Sequence, residues 1–463
     1  MSKWTRLLLL VLCTVVLGGA ADRRRAVNQS RLDGHRSFVV TDQAILDGFS
    51  FDRVLTTLTA GTQTTPVQLL QQWLDTQNAK PGLVAPDGPH CDDFLTGGVP
   101  SFNGFPRRCP VPEGQLAPQQ PFASPLARII PLGVINRFDL APVDGSNCGQ
   151  YRLIFGQSRP PNELFHIIFE GVLPNPNPAA GLSACRPVAQ FWADLSSVDS
   201  MAARGARLEA FFFQGLPGFL PVVRAENYNT PGGIRTSETT ASVSNRMYQF
   251  RATRVCADGG GCRIVMVPDI LDNMIYGSLF DGNVDTPLAR QFREDFIKQI
   301  PTLAVGNVNE FFMNIPSQYV MAESNPSDTV QQFLLTKAFA SGLATPAGAD
   351  FKNRIAAELA RIGSPLTPAQ LVQRAETQTC SGCHLLSGDV GGGATFPAPW
   401  AFFQQVDERL TGIGEGGFRF IESPAMVVFS NHRMQVLHDF LANGTPPVHS
   451  DAVGTIGGGR SVQ

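Results

Sequence analysis

Tyr151-Arg-Leu-Ile-Phe155 lies at the centre of the stretch that decides the fold class. Ile129-Ile-Pro-Leu-Gly-Val-Ile135 precedes it and Phe165-His-Ile-Ile-Phe169 follows it, each a short run of β-branched and aromatic residues bounded by turn-forming residues. Such runs are typical of strands, and a helix is predicted further along the chain, over residues 188–213. We therefore expect residues 128–267 to form an antiparallel sheet with one helix inserted.

A hairpin is predicted at the end of this region. Tyr248-Gln-Phe-Arg-Ala-Thr253 alternates apolar and polar residues, Asp258-Gly-Gly-Gly261 is a turn, and Arg263-Ile-Val-Met-Val267 continues as a strand. Cys256 and Cys262 flank the turn and would face each other across the hairpin. We predict a disulfide between them.

The remaining cysteines indicate how the chain is crosslinked. Two of the nine cysteines belong to a separate motif near residue 380, and Cys13 lies in the N-terminal segment. Sequence proximity favours the pairs Cys91–Cys109 and Cys148–Cys185, which we interpret as structural disulfides of an exported protein.

The N-terminus has the pattern of an export signal. Lys3 and Arg6 precede the apolar residues 7–17, and small residues follow, so a signal peptide is predicted over residues 1–21. The apolar run is shorter than the ~20 residues that a membrane span needs. Because arginines occupy positions 23–25, an uncleaved N-terminal anchor stays open as an alternative. No other membrane span is expected, and we predict a periplasmic, extracellular or cell-surface location.

The length of the chain suggests how many domains it has, and its charge indicates which partners are not expected. The chain has 463 residues and a formal net charge of −3, which suggests about two or three domains at ~150 residues each. Its few lysines lie far apart and no basic stripe forms, so a nucleic-acid partner is not expected.

Arg137 and Asp139 flank Phe138 within the predicted sheet region. In a strand, residues two positions apart project to the same face. We predict an intramolecular ion pair between them in preference to a catalytic role.

Cys380-Ser-Gly-Cys383-His384 is the motif that carries chemistry. Random placement of nine Cys and seven His in this chain predicts only about 0.003 occurrences of the pattern. Two thiols on one helical turn can add to the two vinyl groups of one porphyrin, and the adjacent imidazole is then held beneath the iron. The motif therefore predicts one covalently attached haem c, with His384 as proximal ligand. A plain disulfide, a redox dithiol and half of a zinc site are the alternatives.

A helix is predicted to lead into this motif. Thr367 stands at a helix N-cap position, Pro368 at the first helical position, and Gln370 completes a capping box. This predicted helix, residues 368–379, runs directly into Cys380.

Residues 366–443 resemble a small monohaem c-type cytochrome, and the attachment motif is the specific part of the likeness. The resemblance implies an all-α haem module whose sixth ligand comes from a Met or His before a C-terminal helix. Met426, just before the predicted terminal helix, and His432, in its first turn, are the candidates, with an open or water-ligated site as the third alternative. The stretch from Asn136-Arg-Phe-Asp139 to Cys148-Gly-Gln-Tyr-Arg152 resembles uncharacterised exported bacterial proteins, which implies no activity.

The pattern beyond residue 285 is also helical. The further helices are predicted over residues 287–300, 328–341, 348–362 and 430–441.

Together these features predict an α+β chain. An N-terminal antiparallel β-sheet with helices, crosslinked by disulfides, is followed by an all-α cytochrome c-like haem domain. The expected divisions are a signal peptide (1–21), an α+β domain of unknown role (22–320), a helical region with the haem module (321–443) and a flexible tail (444–463).

The expected function is one-electron transfer by an exported c-type cytochrome, with a redox protein or a small electron donor or acceptor as partner. Two alternatives stay open. One is a peroxidase-like haem oxidoreductase whose N-terminal domain binds substrate, and the other is a cell-surface binding protein with a structural haem.

Overall fold

The apolar stretches between residues 129 and 269 form one antiparallel sheet in the computed structural model of the chain. The structure describes residues 32–119, 129–159, 163–237, 246–272, 274–324, 330–331, 336–379, 388–389, 395–396, 406–422 and 424–447.

Strands in these ranges form one large sheet and several small ones. The seven-stranded sheet has the order β1-β5-β6-β7-β8-β9-β10, and the remaining described strands pair as β2-β3-β4, β11-β12, β13-β14 and β15-β16. In chain order the strands are β1 (Val39–Val40), β2 (Leu95–Thr96), β3 (Val99–Phe102), β4 (Phe105–Pro106), β5 (Ile130–Arg137), β6 (Asn147–Arg159), β7 (Glu163–Pro174), β8 (Gly233–Ser237), β9 (Met247–Cys256), β10 (Cys262–Asp269), β11 (Val330–Gln331), β12 (Thr336–Lys337), β13 (Gly388–Asp389), β14 (Thr395–Phe396), β15 (Val406–Gly414) and β16 (Gly417–Glu422).

Helices pack on this framework or connect its parts. In chain order they are α1 (Gly34–Ser37), α2 (Gln43–Leu46), α3 (Phe51–Thr59), α4 (Pro66–Asp75), α5 (Arg186–Leu195), α6 (Met201–Phe213), α7 (Pro287–Leu303), α8 (Ala338–Leu343), α9 (Ala349–Arg361), α10 (Pro368–Glu376) and α11 (Pro424–Asn443). The α+β class with an extended antiparallel sheet is therefore confirmed.

One face of the seven-stranded sheet is apolar and carries the first core. Tyr151 in β6 stacks on Trp192 of α5, with ring centroids 5.7 Å apart, and Phe211 of α6 meets the Tyr151 ring edge-on at 5.0 Å. Phe169 in β7 packs against Trp73 of α4 at 6.2 Å. Because side chains alternate across a strand, the residues between these aromatic ones point to the opposite face.

A second core lies beyond β10. It joins buried side chains of α7, α8, α9 and α10, including a stacked pair, Phe280 and Phe339, whose centroids are 4.3 Å apart. The capping box predicted for α10 is present, since Thr367 accepts from the Gln370 amide and the Gln370 side chain accepts from Thr367. The predicted helices over 287–300 and 348–362 are also present as α7 and α9.

The predicted all-α cytochrome c-like domain at the C-terminal end is wrong. Strands β15 and β16 form an antiparallel hairpin there, with Gly414 paired to Gly417, and β15 contacts β5 and β6 of the large sheet. Helix α11 places Leu437, Phe440 and Leu441 in the first core with the sheet. The C-terminal segment is thus mixed α/β, and its last helix shares the core of the sheet.

Other predicted elements have different bounds. The helix predicted over 188–213 is two helices, α5 and α6, separated by the mostly polar residues 196–200. Part of 328–341 is the strand pair β11-β12 followed by the short helix α8. The terminal helix begins at Pro424 instead of residue 430, because proline suits the first turn of a helix, where its missing N–H is no loss.

The three expected cysteine pairs stand at disulfide distance. The Cα–Cα separations are 5.4 Å for Cys91–Cys109, 5.2 Å for Cys148–Cys185 and 4.0 Å for Cys256–Cys262. Cys256 and Cys262 are direct partners in the β9–β10 register, as the hairpin predicted.

No helix within the described ranges is both long enough and apolar enough to cross a membrane.

Because α11 packs in the core of the sheet, truncating its buried side chains should destabilise the sheet itself. We expect Leu437→Ala, at a position with no exposed surface, to lower the free energy of unfolding by about 2–5 kcal/mol. The measurement is guanidinium unfolding followed by the fluorescence of the core tryptophans. Ile413→Ala, at a hairpin position that is 93% exposed, is the control and should change stability by less than ~0.5 kcal/mol. An unchanged midpoint for the sheet in Leu437→Ala would contradict the shared core.

Candidate functional site

The attachment motif, with Cys380, Cys383 and His384, lies outside the described residues, but the helix that leads to it is described. Helix α10 is held by Arg374, whose buried guanidinium donates to the carbonyls of Leu303 (2.8 Å) and Val305 (2.5 Å). The same guanidinium lies 4.6 Å from the centre of the Phe311 ring. The chain is therefore anchored by buried contacts up to Thr379, the residue before the motif.

The two candidates for a sixth ligand both lie on α11. Met426 is in its first turn, not before the helix as the sequence suggested, and is buried. Its sulfur lies 3.7 Å from Nη1 of Arg433. His432 lies six residues further along, so the two side chains point about 120° apart around the helix axis. Met426 and His432 therefore cannot each ligate the same iron position unless the helix moves.

His432 has an unsatisfied buried atom. Its Nε2 is buried and has no hydrogen-bond partner among the described residues. Burial lowers the pKa of His432, while the negative charges of Asp139 and Glu310 oppose that shift. A neutral imidazole nitrogen with no acceptor or donor opposite it is the type of group that binds haem iron. The described residues on α11 therefore fit a haem ligand at His432.

Packing relates α11 to the helix before the motif. Phe429, one turn before His432, belongs to the second core together with Leu371, Val372 and Ala375 of α10. Glu310, whose charge acts on His432, is adjacent in sequence to Phe311, which contacts Arg374 of α10. The start of α11 and the end of α10 are thus held by the same core.

An ion pair joins the end of β5 to α11. Arg137 donates to both carboxylate oxygens of Asp139 at 2.9–3.0 Å, as the sequence predicted. Asp139 is not in the strand but in a 3-10 turn, Phe138–Leu140, that follows β5 directly. Nε of Arg433 lies 3.7 Å from the same carboxylate. All three side chains are nearly fully buried.

A second buried cluster continues across the sheet on the face opposite Tyr151. Arg152 of β6 and Glu170 of β7 are direct register partners and form an ion pair at 3.0 Å. Arg235 of β8 approaches the other Glu170 oxygen at 2.9 Å, and Nε of Arg152 donates to Gln150 at 2.7 Å. We call these residues, together with Arg137, Asp139 and Arg433, the arginine cluster.

The arginine cluster is electrostatically strained. Burial, together with the neighbouring positive charges of Arg137 and Arg235, lowers the pKa of Arg152 to about 9 against the opposing effect of Glu170. Sequence reasoning missed this cluster apart from the Arg137–Asp139 pair. The available signal was a charged residue at the centre of an otherwise apolar strand, Tyr151-Arg-Leu-Ile-Phe155.

The described residues contain no group of three or more His, Cys, Asp or Glu side chains arranged to hold a metal ion. Comparisons with protein-family models, curated proteins and solved structures found no match for the chain.

The lowered pKa of His432 predicts a pH dependence of stability. A histidine whose folded-state pKa lies below its unfolded value contributes stability that is complete above about pH 6.5 and is lost as the pH falls through the folded value. In the haem-free chain we expect His432→Gln to flatten the decline in unfolding free energy between neutral and mildly acidic pH, measured by urea unfolding at a series of pH values.

His35 provides a control of opposite sign. A hydrogen bond from the imidazole to Glu422 raises the pKa of His35, so its contribution is complete below the unfolded pKa and is lost as the pH rises. His35→Gln should therefore leave the acid-side decline in place. An unaltered decline in His432→Gln would contradict the burial of a neutral imidazole.

Proposed function

We propose that this chain is an exported c-type cytochrome that binds one covalent haem and carries out one-electron transfer. The observation that carries the proposal is Cys380-Ser-Gly-Cys383-His384, preceded by a helix with a capping box. Cys380 and Cys383 would form the thioether links, and His384 would be the proximal ligand. The periplasm, the cell surface or the extracellular medium is the proposed location, and the paired cysteines suit such an oxidising compartment.

His432 is the sixth ligand that we favour. Its buried Nε2 lacks a partner among the described side chains, whereas the sulfur of Met426 already lies against Arg433. Leaving a buried imidazole nitrogen unsatisfied costs about 1–3 kcal/mol, which a bond to iron would remove. Histidine on both sides of the iron gives a lower reduction potential than His/Met ligation.

The bound haem would supply the one-electron chemistry, and the chain would control its surroundings. Phe429, one turn before His432, packs in the second core, and the imidazole itself is partly buried, so its contact with water is restricted. Asp139, close enough to act on His432, would favour the positively charged form of the site. A redox protein or a small electron donor or acceptor is the proposed partner.

Covalent attachment is tested by a pyridine haemochrome assay on the denatured, purified chain after expression with the cytochrome c maturation system. We expect one haem per chain that resists acid–acetone extraction, because thioether bonds survive denaturation. Replacing both Cys380 and Cys383 by alanine should abolish the retained absorbance. Cys256→Ala/Cys262→Ala, which removes a hairpin disulfide, is the matched control and should retain it. Absence of haem from the wild-type chain would refute the proposal.

Axial ligation is tested by absorption and EPR spectra of two variants on the same helix. His432→Ala should convert a six-coordinate low-spin ferric spectrum to a high-spin one, while Met426→Ala should leave it low-spin. His438→Ala, a partly exposed position one to two turns further along α11, is the control. A high-spin spectrum in the wild type that reacts with peroxide would instead support the peroxidase-like alternative.

A further inference from the structure

We propose that the arginine cluster on the large sheet forms a buried binding site for an oxyanion, a carboxylate or phosphate group, with Arg137 and Arg152 as its central contacts. The site is built entirely from described side chains of β5, the turn that follows it, β6, β7, β8 and α11. Two sources of the oxyanion are compatible with this chemistry, a free small anion or the propionate of a bound haem. Only the second source depends on the proposed function.

The two carboxylates of the cluster, Asp139 and Glu170, already have guanidinium partners. Both oxygens of Asp139 accept from Arg137, and Arg433 approaches one of them. One oxygen of Glu170 pairs with Arg152 and the other with Arg235. Each carboxylate oxygen in the cluster thus has a guanidinium nitrogen within ion-pair distance.

One guanidinium nitrogen of Arg137 has no hydrogen-bond acceptor among the described residues. Nη1 of Arg137 is buried, in a residue with no exposed surface, and has no hydrogen-bond partner among the described residues. Buried charged donors without an acceptor are strongly unfavourable, and native structures rarely retain them. An oxygen that the protein itself does not supply is the group that would satisfy this nitrogen.

The positive charges of Arg137 and Arg152 lie close together in the cluster. Arg137 lies opposite Gln150 in the register, and Arg152 follows two residues later on the same face of β6. The two positive charges repel each other closely enough to contribute to the lowered pKa of Arg152. An anion between them would relieve this repulsion. Guanidinium groups bind carboxylate and phosphate with paired, planar hydrogen bonds, which defines the class of ligand.

The experiment uses the full chain in two forms, haem-loaded wild type and a haem-free Cys380→Ala/Cys383→Ala variant. Succinate and inorganic phosphate are titrated calorimetrically, with sodium chloride at equal ionic strength as the reference. We expect saturable binding of at least one probe to the haem-free form. Adding Arg137→Gln should weaken binding about tenfold or more, since hydrogen bonds to charged groups carry that much affinity.

A matched control is available in the second core. Arg293 is also nearly buried, but its guanidinium donates to the backbone carbonyls of Asp281 (3.0 Å) and Val284 (3.3 Å). Arg293→Gln should leave oxyanion affinity unchanged. If Arg137→Gln fails to fold, Arg137→Lys keeps the charge beside Asp139 but loses the paired donors, and it should also bind more weakly.

Comparison of the two forms identifies the source of the oxyanion. If the haem-loaded chain no longer binds either probe, the haem propionates occupy the site, and if it binds as well as the haem-free chain, the ligand is a free anion. Both outcomes support the site. Absence of saturable binding in the haem-free chain, or equal binding by Arg137→Gln, would overturn it. Failure of haem attachment would refute the proposed function without affecting this test.

Discussion

The structure depends on how one buried carboxylate, Asp139, is neutralised. Asp139 lies in a tight turn directly after β5 and accepts hydrogen bonds from Arg137 at the end of that strand. Arg433 of the terminal helix also lies close to the Asp139 carboxylate. Removing the Asp139 carboxylate would leave the Arg137 guanidinium buried without its partner, and breaking a buried ion pair in this way commonly costs about 3–5 kcal/mol. The ring of Phe138 packs against Phe440 of α11 at 4.8 Å beside this pair. The polar and apolar contacts together fix the terminal helix on the sheet.

Much of the sheet could be predicted because its signals are local. Alternation and turn residues define the β9–β10 hairpin, and its two cysteines are register partners as expected. Helix α10 was predicted from its capping residues alone. In these segments the local preferences of the chain and its tertiary packing agree, so the sequence pattern suffices.

The C-terminal region could not be predicted in the same way. Glycine-rich residues 411–417 have weak strand propensity, and their pairing as β15 and β16 depends on contacts with the distant strands β5 and β6. The haem motif also favoured an all-α interpretation of everything around it. The arginine cluster depends on strand register. Arg152 and Glu170 are 18 positions apart in sequence and meet only because β6 and β7 pair in one particular alignment.

Two residues that interact with Asp139 each leave one buried nitrogen without a hydrogen-bond partner among the described residues. Arg137 bonds to that carboxylate and leaves Nη1 without an acceptor, whereas His432 feels its charge and leaves Nε2 without a partner. An imidazole nitrogen can bind a metal, whereas a guanidinium nitrogen donates to an oxyanion. The two unsatisfied nitrogens therefore need different ligand groups. A haem carries both, an iron at its centre and carboxylates at its edge. If one ligand satisfies both atoms, Asp139 balances the positive charge of the arginines and stabilises the positive charge at the iron. The carboxylate that fixes α11 on the sheet would then also set the electrostatic environment of the redox site.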